Sequence, residues 1–150
     1  MFKVKDIMVQ PVVSVSPDTP IYDAIRLLAS RNITGLPVVD ADLRVVGLLS
    51  EKDVLNLLYK NQDSDQKTVE DFMSKSVVSF DVNDNLIALC DCLEHNPFRR
   101  IPVTQNGRLA GIVSRSDVIR AILALKHKGS TQEPSTPVGE EDLVPYSPGV

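Results

Sequence analysis

Two stretches of this chain share one pattern, and this duplication constrains the fold more than any other feature of the sequence. GLLSEKDV at residues 47–54 returns as GIVSRSDV at residues 111–118, an offset of 64. An offset of 65 aligns earlier residues, such as Val4 with Val69. The offset changes within a turn segment, where the loss of one residue costs little packing. Repeats of this length indicate two related structural units, so each copy is interpreted as one of a pair.

Both copies predict the same order of elements: strand, helix, strand, strand, helix. The first strands are expected at residues 12–15 and 77–80, and the second helices at residues 51–59 and 115–126. Between them, apolar residues recur at helical spacing and then as two extended runs separated by a turn.

Start signals precede the first helix of each copy. Thr19 is predicted to be the N-cap in the first copy, with Pro20 at the first helical position. Asp84 is predicted to cap the equivalent helix of the second copy.

The repeat predicts an α+β fold of two β-α-β-β-α units packed about a pseudo-two-fold axis. One unit of about 60 residues buries little apolar surface by itself, so the two units are expected to pack against each other. We predict a first repeat at residues 1–64, a second at 65–127, and an acidic tail rich in Pro and Ser at 128–150.

Charge and hydropathy argue against two classes of partner. Residues 1–128 hold all 16 Lys and Arg and 16 of the 20 Asp and Glu, so the net charge of −4 comes from the tail. A neutral body makes nucleic-acid binding an unfavoured function, because that needs clustered positive charge. No apolar run is long enough for a membrane span or a signal peptide, so we expect a cytoplasmic protein without a membrane partner.

The two cysteines are expected to pack in the protein rather than to bind a metal. Cys90 and Cys92 are two apart in a predicted helix and so point in different directions. Together with His95 they would not converge on one face of the helix.

The junction between strand and helix in each copy allows two interpretations. Ser50 and Ser114 stand where an N-cap is expected, and Asp53 and Asp117 three residues later at the position of a capping box. An aspartate side chain is short for that box, and a glycine before each junction leaves space for a ligand at the backbone. Free amides, a hydroxyl and a carboxylate at a helix start also suit a ligand with a diol and a phosphate.

The complete pattern resembles a tandem pair of CBS domains, or Bateman module. The resemblance is carried by VKDIM, VVSVSPDTPIYDAIRLL, GLPVVD and VVGLLSEKDVL in the first copy, and by VEDFM, VVSF, RRIPV and LAGIVSRSDVI in the second. It covers roughly residues 4–125. It implies a regulatory module that binds AMP, ADP, ATP or S-adenosylmethionine in clefts between the repeats and signals to a partner chain.

The same resemblance implies a role for individual residues. Ribose hydroxyls would be held by Asp53 and Asp117, and ribose or phosphate by Ser50 and Ser114. The adenine base would lie against three apolar residues: Val13, Val78 and Ile112.

Phosphates would face the residues that precede the second strand of each repeat. These are Thr34 and Gly35 in the first copy, and Arg99 and Arg100 in the second. Arg115 and Ser116 lie beside Asp117 in a spacing similar to the nucleotide-binding subunit of AMP-activated protein kinase. Because Glu51 would repel a phosphate in the first copy, we expect the second copy to form the better site for a phosphorylated adenosine.

Two other functions were weighed against nucleotide sensing. Catalysis is not expected, because no Walker loop, dinucleotide fingerprint or zinc spacing is present. A ligand-free dimerisation module is the alternative, in which Ser114 and Asp117 serve only as helix caps. Apolar residues of the second helices would suit a homodimer: Leu55, Leu58, Ile119, Ile122 and Leu123.

Overall fold

The computed structural model describes residues 2–60, 67–97 and 99–128. The tail predicted from residue 128 onward lies almost wholly outside the described residues. The first repeat contains α1 (Ile21–Arg31), β1 (Gly35–Val39), β2 (Val45–Ser50), α2 (Glu51–Leu55) and α3 (Leu57–Lys60). The second contains β3 (Phe80–Asp81), α4 (Leu86–His95), β4 (Arg100–Gln105), β5 (Arg108–Ser114) and α5 (Arg115–Lys128). A short 3-10 turn lies near the start of each repeat, at Val4–Asp6 and Val69–Asp71.

The sheets confirm the predicted α+β class. β1 pairs antiparallel with β2, and β4 pairs antiparallel with β5, while β3 joins β4 in parallel. The strand predicted at residues 12–15 is reduced to one parallel bridge, between Val15 and Val38. The adjacent Pro11 and Pro17 have no backbone N–H to donate, which limits a ladder there.

The predicted N-caps of α1 and α4 were both wrong. Pro20, and not Thr19, is the N-cap of α1. In α4 the cap is Asn85, whose side-chain oxygen accepts from the Ile87 N–H at 2.8 Å. Asp84 instead accepts from the Asp81 N–H at 2.8 Å and so closes the preceding turn.

The second helices of the two repeats differ in continuity. The helix predicted over residues 51–59 is divided at Asn56 into α2 and α3. Its counterpart α5 runs unbroken from Arg115 to Lys128.

Each repeat has its own aliphatic core, but the first turn of each repeat packs into the core of the other repeat. Val4, fully buried, belongs to the core of the second repeat, and its N–H donates to the Asp84 carbonyl at 2.9 Å. Val69, also fully buried, belongs to the core of the first repeat, and its N–H donates to the Thr19 carbonyl at 2.9 Å. The two repeats therefore exchange their first turns, as a pseudo-two-fold relation predicts.

The glycines before the two junctions make room for methionines, and not for a ligand as the sequence had indicated. A Cβ built on Gly47 would lie 2.5 Å from Met73 Sδ, and one built on Gly111 would lie 2.6 Å from Met8 Sδ. Carbon and sulfur do not approach so closely, so a side chain at either position would force the methionine to shift. Each methionine comes from the exchanged segment of the opposite repeat.

No helix in the described ranges has both the length and the apolar character needed to cross a membrane.

Candidate functional site

A cavity of about 510 Å³ lies between the two repeats. This volume is within the usual range for small-molecule sites. The first repeat contributes the end of β2 and the start of α2, and the second contributes the segment before β3 and the start of β4. Seven of the residues predicted as ligand contacts line it: Thr34, Gly35, Ser50, Asp53, Val78, Arg99 and Arg100.

The junction in the first repeat is a capping box that leaves one carboxylate oxygen available. Asp53 Oδ2 accepts from the Ser50 N–H at 2.8 Å and from the Ser50 hydroxyl at 2.9 Å. The Asp53 N–H in turn donates to Ser50 Oγ at 3.3 Å. Aspartate is thus long enough for the box, contrary to our expectation. Asp53 Oδ1 accepts no hydrogen bond from the described residues, and it remains able to accept from a hydroxyl of a ligand.

The second junction forms the same box, but both oxygens of its aspartate are used. Asp117 Oδ2 accepts from the Ser114 N–H at 2.7 Å and from its hydroxyl at 2.9 Å, and Oδ1 pairs with Arg120. Asp117 is only 8% exposed. In the first repeat the residue equivalent to Arg120 is Asn56, which makes no such pair in the described structure.

The remaining predicted contacts also have structural roles outside the cavity. Ser116 Oγ is hydrogen-bonded to Ser114 Oγ at 2.9 Å. Arg115 donates to the carbonyl of Leu93 in the last turn of α4 and to that of Asn96 just after it, both at 3.2 Å. Ile112 forms a bridge with Val9, and Val13 packs on the core of the first repeat.

This cavity lies at the junction of the first repeat, whereas the sequence favoured the second repeat as the better site. Ser114, Arg115, Ser116 and Asp117 are engaged with their own repeat and do not line this cavity. Asp53 has an available carboxylate oxygen, and the cations of the lining include Lys52 of the first repeat and Arg99 and Arg100 of the second.

Arg100 places a poorly solvated cation at the wall of this cavity. Its Nε is buried and has no hydrogen-bond partner among the described residues. Burial lowers the pKa of the Arg100 guanidinium below its usual value, while the carboxylates of Asp117 and Glu51 oppose that lowering. Arginine stays charged in such surroundings, and its planar fork suits phosphate oxygens. Because Arg100 lines the cavity, its charge favours an anionic ligand there.

Several lining residues were not predicted from the sequence. The apolar wall includes Leu48, Leu55 and Val77, and the polar wall includes Ser74 and Ser76. The Gly and Met that recur in both repeats were the sequence signal that could have identified these residues. Because Met73 packs against Gly47, residues 74–78 must pass beside the end of β2.

A second group of polar side chains lies on the exposed surface of α4. Asp91, Glu94 and His95 bring possible metal-ligand atoms within 4.8 Å of one another. The pKa of His95 is raised, first by its hydrogen bond to the Asp91 carbonyl and then by the two carboxylates. His95 Nδ1 lies 2.9 Å from the Asp91 carbonyl oxygen and 3.2 Å from Asp91 Oδ1, so these side chains are interpreted as an ion-paired surface group.

Comparison with known proteins agrees with this architecture. The family model described as "CBS domain" matches residues 4–60 and again residues 69–124. The chain belongs to the CBS-domain family. It is a tandem CBS pair, as the repeat predicted.

The solved structures that resemble this CBS pair include two with adenosine compounds. CBSX2 from Arabidopsis thaliana, crystallised in complex with AMP, is 34% identical with a TM-score of 0.74, over 84% of this chain and 99% of that one. The CBS pair of protein MJ0100, crystallised with 5-methylthioadenosine and S-adenosyl-L-methionine, is 25% identical with a TM-score of 0.73, over 83% and 98%.

Among curated relatives, the chloroplastic protein CBSX1 of Arabidopsis thaliana is 32% identical, over 77% of this chain and 61% of its own length. Protein MJ1225 of Methanocaldococcus jannaschii is 28% identical, over 79% of this chain. The chain spans 42% of the length of MJ1225, so it corresponds to about half of these relatives.

Proposed function

We propose that this CBS pair is a regulatory module that binds a phosphorylated adenosine in the cavity between its repeats. The observation that carries the proposal is that Asp53 of the first repeat and Arg100 of the second line the same cavity. The carboxylate accepts from the ribose diol, and the guanidinium pairs with the phosphate. The apolar wall near Val77 and Val78 is suited to the flat face of adenine.

The charges of the cavity favour AMP, ADP or ATP over S-adenosylmethionine. A phosphate is attracted by the positive charge of Arg100, whereas a sulfonium would be repelled by it. Relatives crystallised with AMP or with S-adenosyl-L-methionine support an adenosine ligand in general.

Binding of AMP to the wild-type chain is the direct test. At a concentration 100 times the dissociation constant, AMP is expected to stabilise the fold by about 2.7 kcal/mol, and adenosine to bind more weakly. Isothermal titration and thermal unfolding measure the two quantities. Absence of binding by AMP, ADP, ATP, S-adenosylmethionine and adenosine alike would contradict the proposal and favour the ligand-free dimerisation module.

We propose that this module regulates a partner protein, which responds to the ligand-dependent geometry of a homodimer. Binding shifts that geometry only if the two arrangements differ in affinity for the ligand.

We propose no catalytic activity: the matches to inosine-5'-monophosphate dehydrogenases reach only 22–23% of those proteins. We also propose a cytoplasmic location, although the relative CBSX1 is chloroplastic.

The surface for the homodimer is proposed on the second helices. Their apolar side chains are exposed to 57% at Leu55, 82% at Leu58, 58% at Ile119, 59% at Ile122 and 54% at Leu123. Clustered apolar side chains on a surface are typical of an interface, and we propose that these five form one.

Replacing Ile122 with glutamate is expected to dissociate the dimer, because the charge would be desolvated at the interface. Sedimentation velocity of the wild type and of Ile122→Glu measures the change. Leu43→Glu is the matched control, since Leu43 is 49% exposed but lies in the β1–β2 turn. Equal sedimentation of all three proteins would refute this surface.

A further inference from the structure

Arg100 belongs to the second repeat but lies between the helix starts of both repeats. In the β4–β5 ladder it is the direct partner of Ser114, the cap of α5. It also lines the cavity with Ser50 and Asp53 of the first repeat. One guanidinium is thus near a carboxylate of each junction region.

The equivalent position in the first repeat has no side chain. An offset of 65 aligns Arg100 with Gly35, and a Cβ built on Gly35 would lie 3.6 Å from Arg100 Cδ. The Arg100 side chain therefore passes directly over Gly35 at the contact between the repeats. Of the two equivalent positions, 35 and 100, only the second carries a cation.

The charge of Arg100 is divided between two sets of anions. Asp117 accepts from the N–H of Ser114, the ladder partner of Arg100, and Glu51 lines the cavity together with Arg100. Both carboxylates oppose the lowering of the Arg100 pKa by burial. Asp117 also has Arg120 as an ion-pair partner, and the Arg120 side chain is 67% exposed. If Arg120 were removed, the negative charge of Asp117 would be balanced by Arg100 alone of these two arginines.

We infer that Asp117 controls the affinity of the cavity for an anionic nucleotide by competing with its phosphate for Arg100. This inference rests on the proposed function and gives Asp117 a different role from the ribose contact expected from the sequence. Asp117 is a positioning residue of a cavity that it does not line. Coupling of this kind acts on a charged ligand and leaves a neutral one unaffected.

The test compares AMP with adenosine in charge-neutralising variants. Asp117→Asn keeps a side-chain oxygen that can accept from the Ser114 N–H, and it is expected to tighten AMP binding on the order of three- to tenfold. Adenosine binding is expected to stay unchanged. Arg120→Gln leaves the Asp117 charge uncompensated and is expected to weaken AMP binding by a similar factor.

Two further variants isolate the route through Arg100. In an Arg100→Gln background, the effect of Asp117→Asn on AMP is expected to disappear. Asp84→Asn is the control for net charge, because Asp84 is exposed and caps a turn outside the cavity. Isothermal titration of each variant with both ligands, with circular dichroism to verify the fold, gives the comparison.

The outcomes separate this inference from the proposed function. A wild type that binds neither ligand overturns both. A wild type that binds AMP, with an Asp117→Asn variant that binds it equally well, overturns only the role of Asp117. An equal change for AMP and adenosine would show a purely structural effect, and persistence of the change in Arg100→Gln would exclude the route through Arg100. If Asp117→Asn does not fold, Arg120→Gln decides, since unchanged AMP affinity in that variant contradicts the inference.

Discussion

Asp53→Ala is expected to lower the affinity for AMP by roughly 10- to 150-fold, the equivalent of losing about 1.5–3 kcal/mol from a hydrogen bond to a charged group. The free Oδ1 of Asp53 is the acceptor proposed for the ribose diol, and alanine removes it. Isothermal titration with AMP measures the loss, and deoxyadenosine monophosphates extend the test because each lacks one hydroxyl.

The same substitution also removes a helix cap, so a control must separate capping from binding. Asp6 provides one, because its Oδ2 accepts from the Lys3 N–H at 2.8 Å at the start of the Val4–Asp6 turn, away from the cavity. Asp6→Ala is expected to cost stability without reducing AMP affinity. If Asp53→Ala binds AMP as the wild type does, the ribose assignment is wrong.

Val4→Ala is expected to destabilise the second repeat, and Val69→Ala the first, each by about 2 kcal/mol. Both side chains are fully buried in the opposite core, and full burial of a valine contributes about 1.5–3 kcal/mol. The damage therefore appears in the repeat to which the residue does not belong by sequence. The loss of stability is measured by chemical denaturation.

Amide hydrogen exchange resolves where each substitution acts, because local opening reports the stability of individual elements. Val4→Ala is expected to accelerate exchange in α4 and β4, and Val69→Ala in α1 and β1. Val9→Ala is the control in the same segment, since Val9 is 44% exposed. Faster exchange confined to the residue's own repeat would contradict the exchange of first turns.

The order of elements and the family could be predicted because the repeat doubles every local signal. The junctions were also predictable, since Ser50 and Asp53 lie at a capping spacing that recurs at Ser114 and Asp117. These features depend on residues close together in the sequence, for which spacing determines contact.

The difference between the two junctions could not be predicted by the same means. The pair between Asp117 and Arg120 was visible as an i, i+3 spacing. Its consequence, a carboxylate with no free oxygen, depended on burial and on geometry. The segment that faces Asp53 depended on the exchange of first turns, which no local pattern encodes. For that reason Ser74 and Val77 were missed, and the sequence favoured the second repeat rather than the first as the better site.

The exchanged turns also have a consequence for the origin of such a chain. A single-repeat ancestor would have lacked part of its own core, so it would have folded only as two chains that completed each other. Gene duplication and fusion would have made that association permanent and independent of concentration. Once joined, the halves no longer needed to be identical. The contact of Gly35 with Arg100, at equivalent positions of the two repeats, is an example of such a difference.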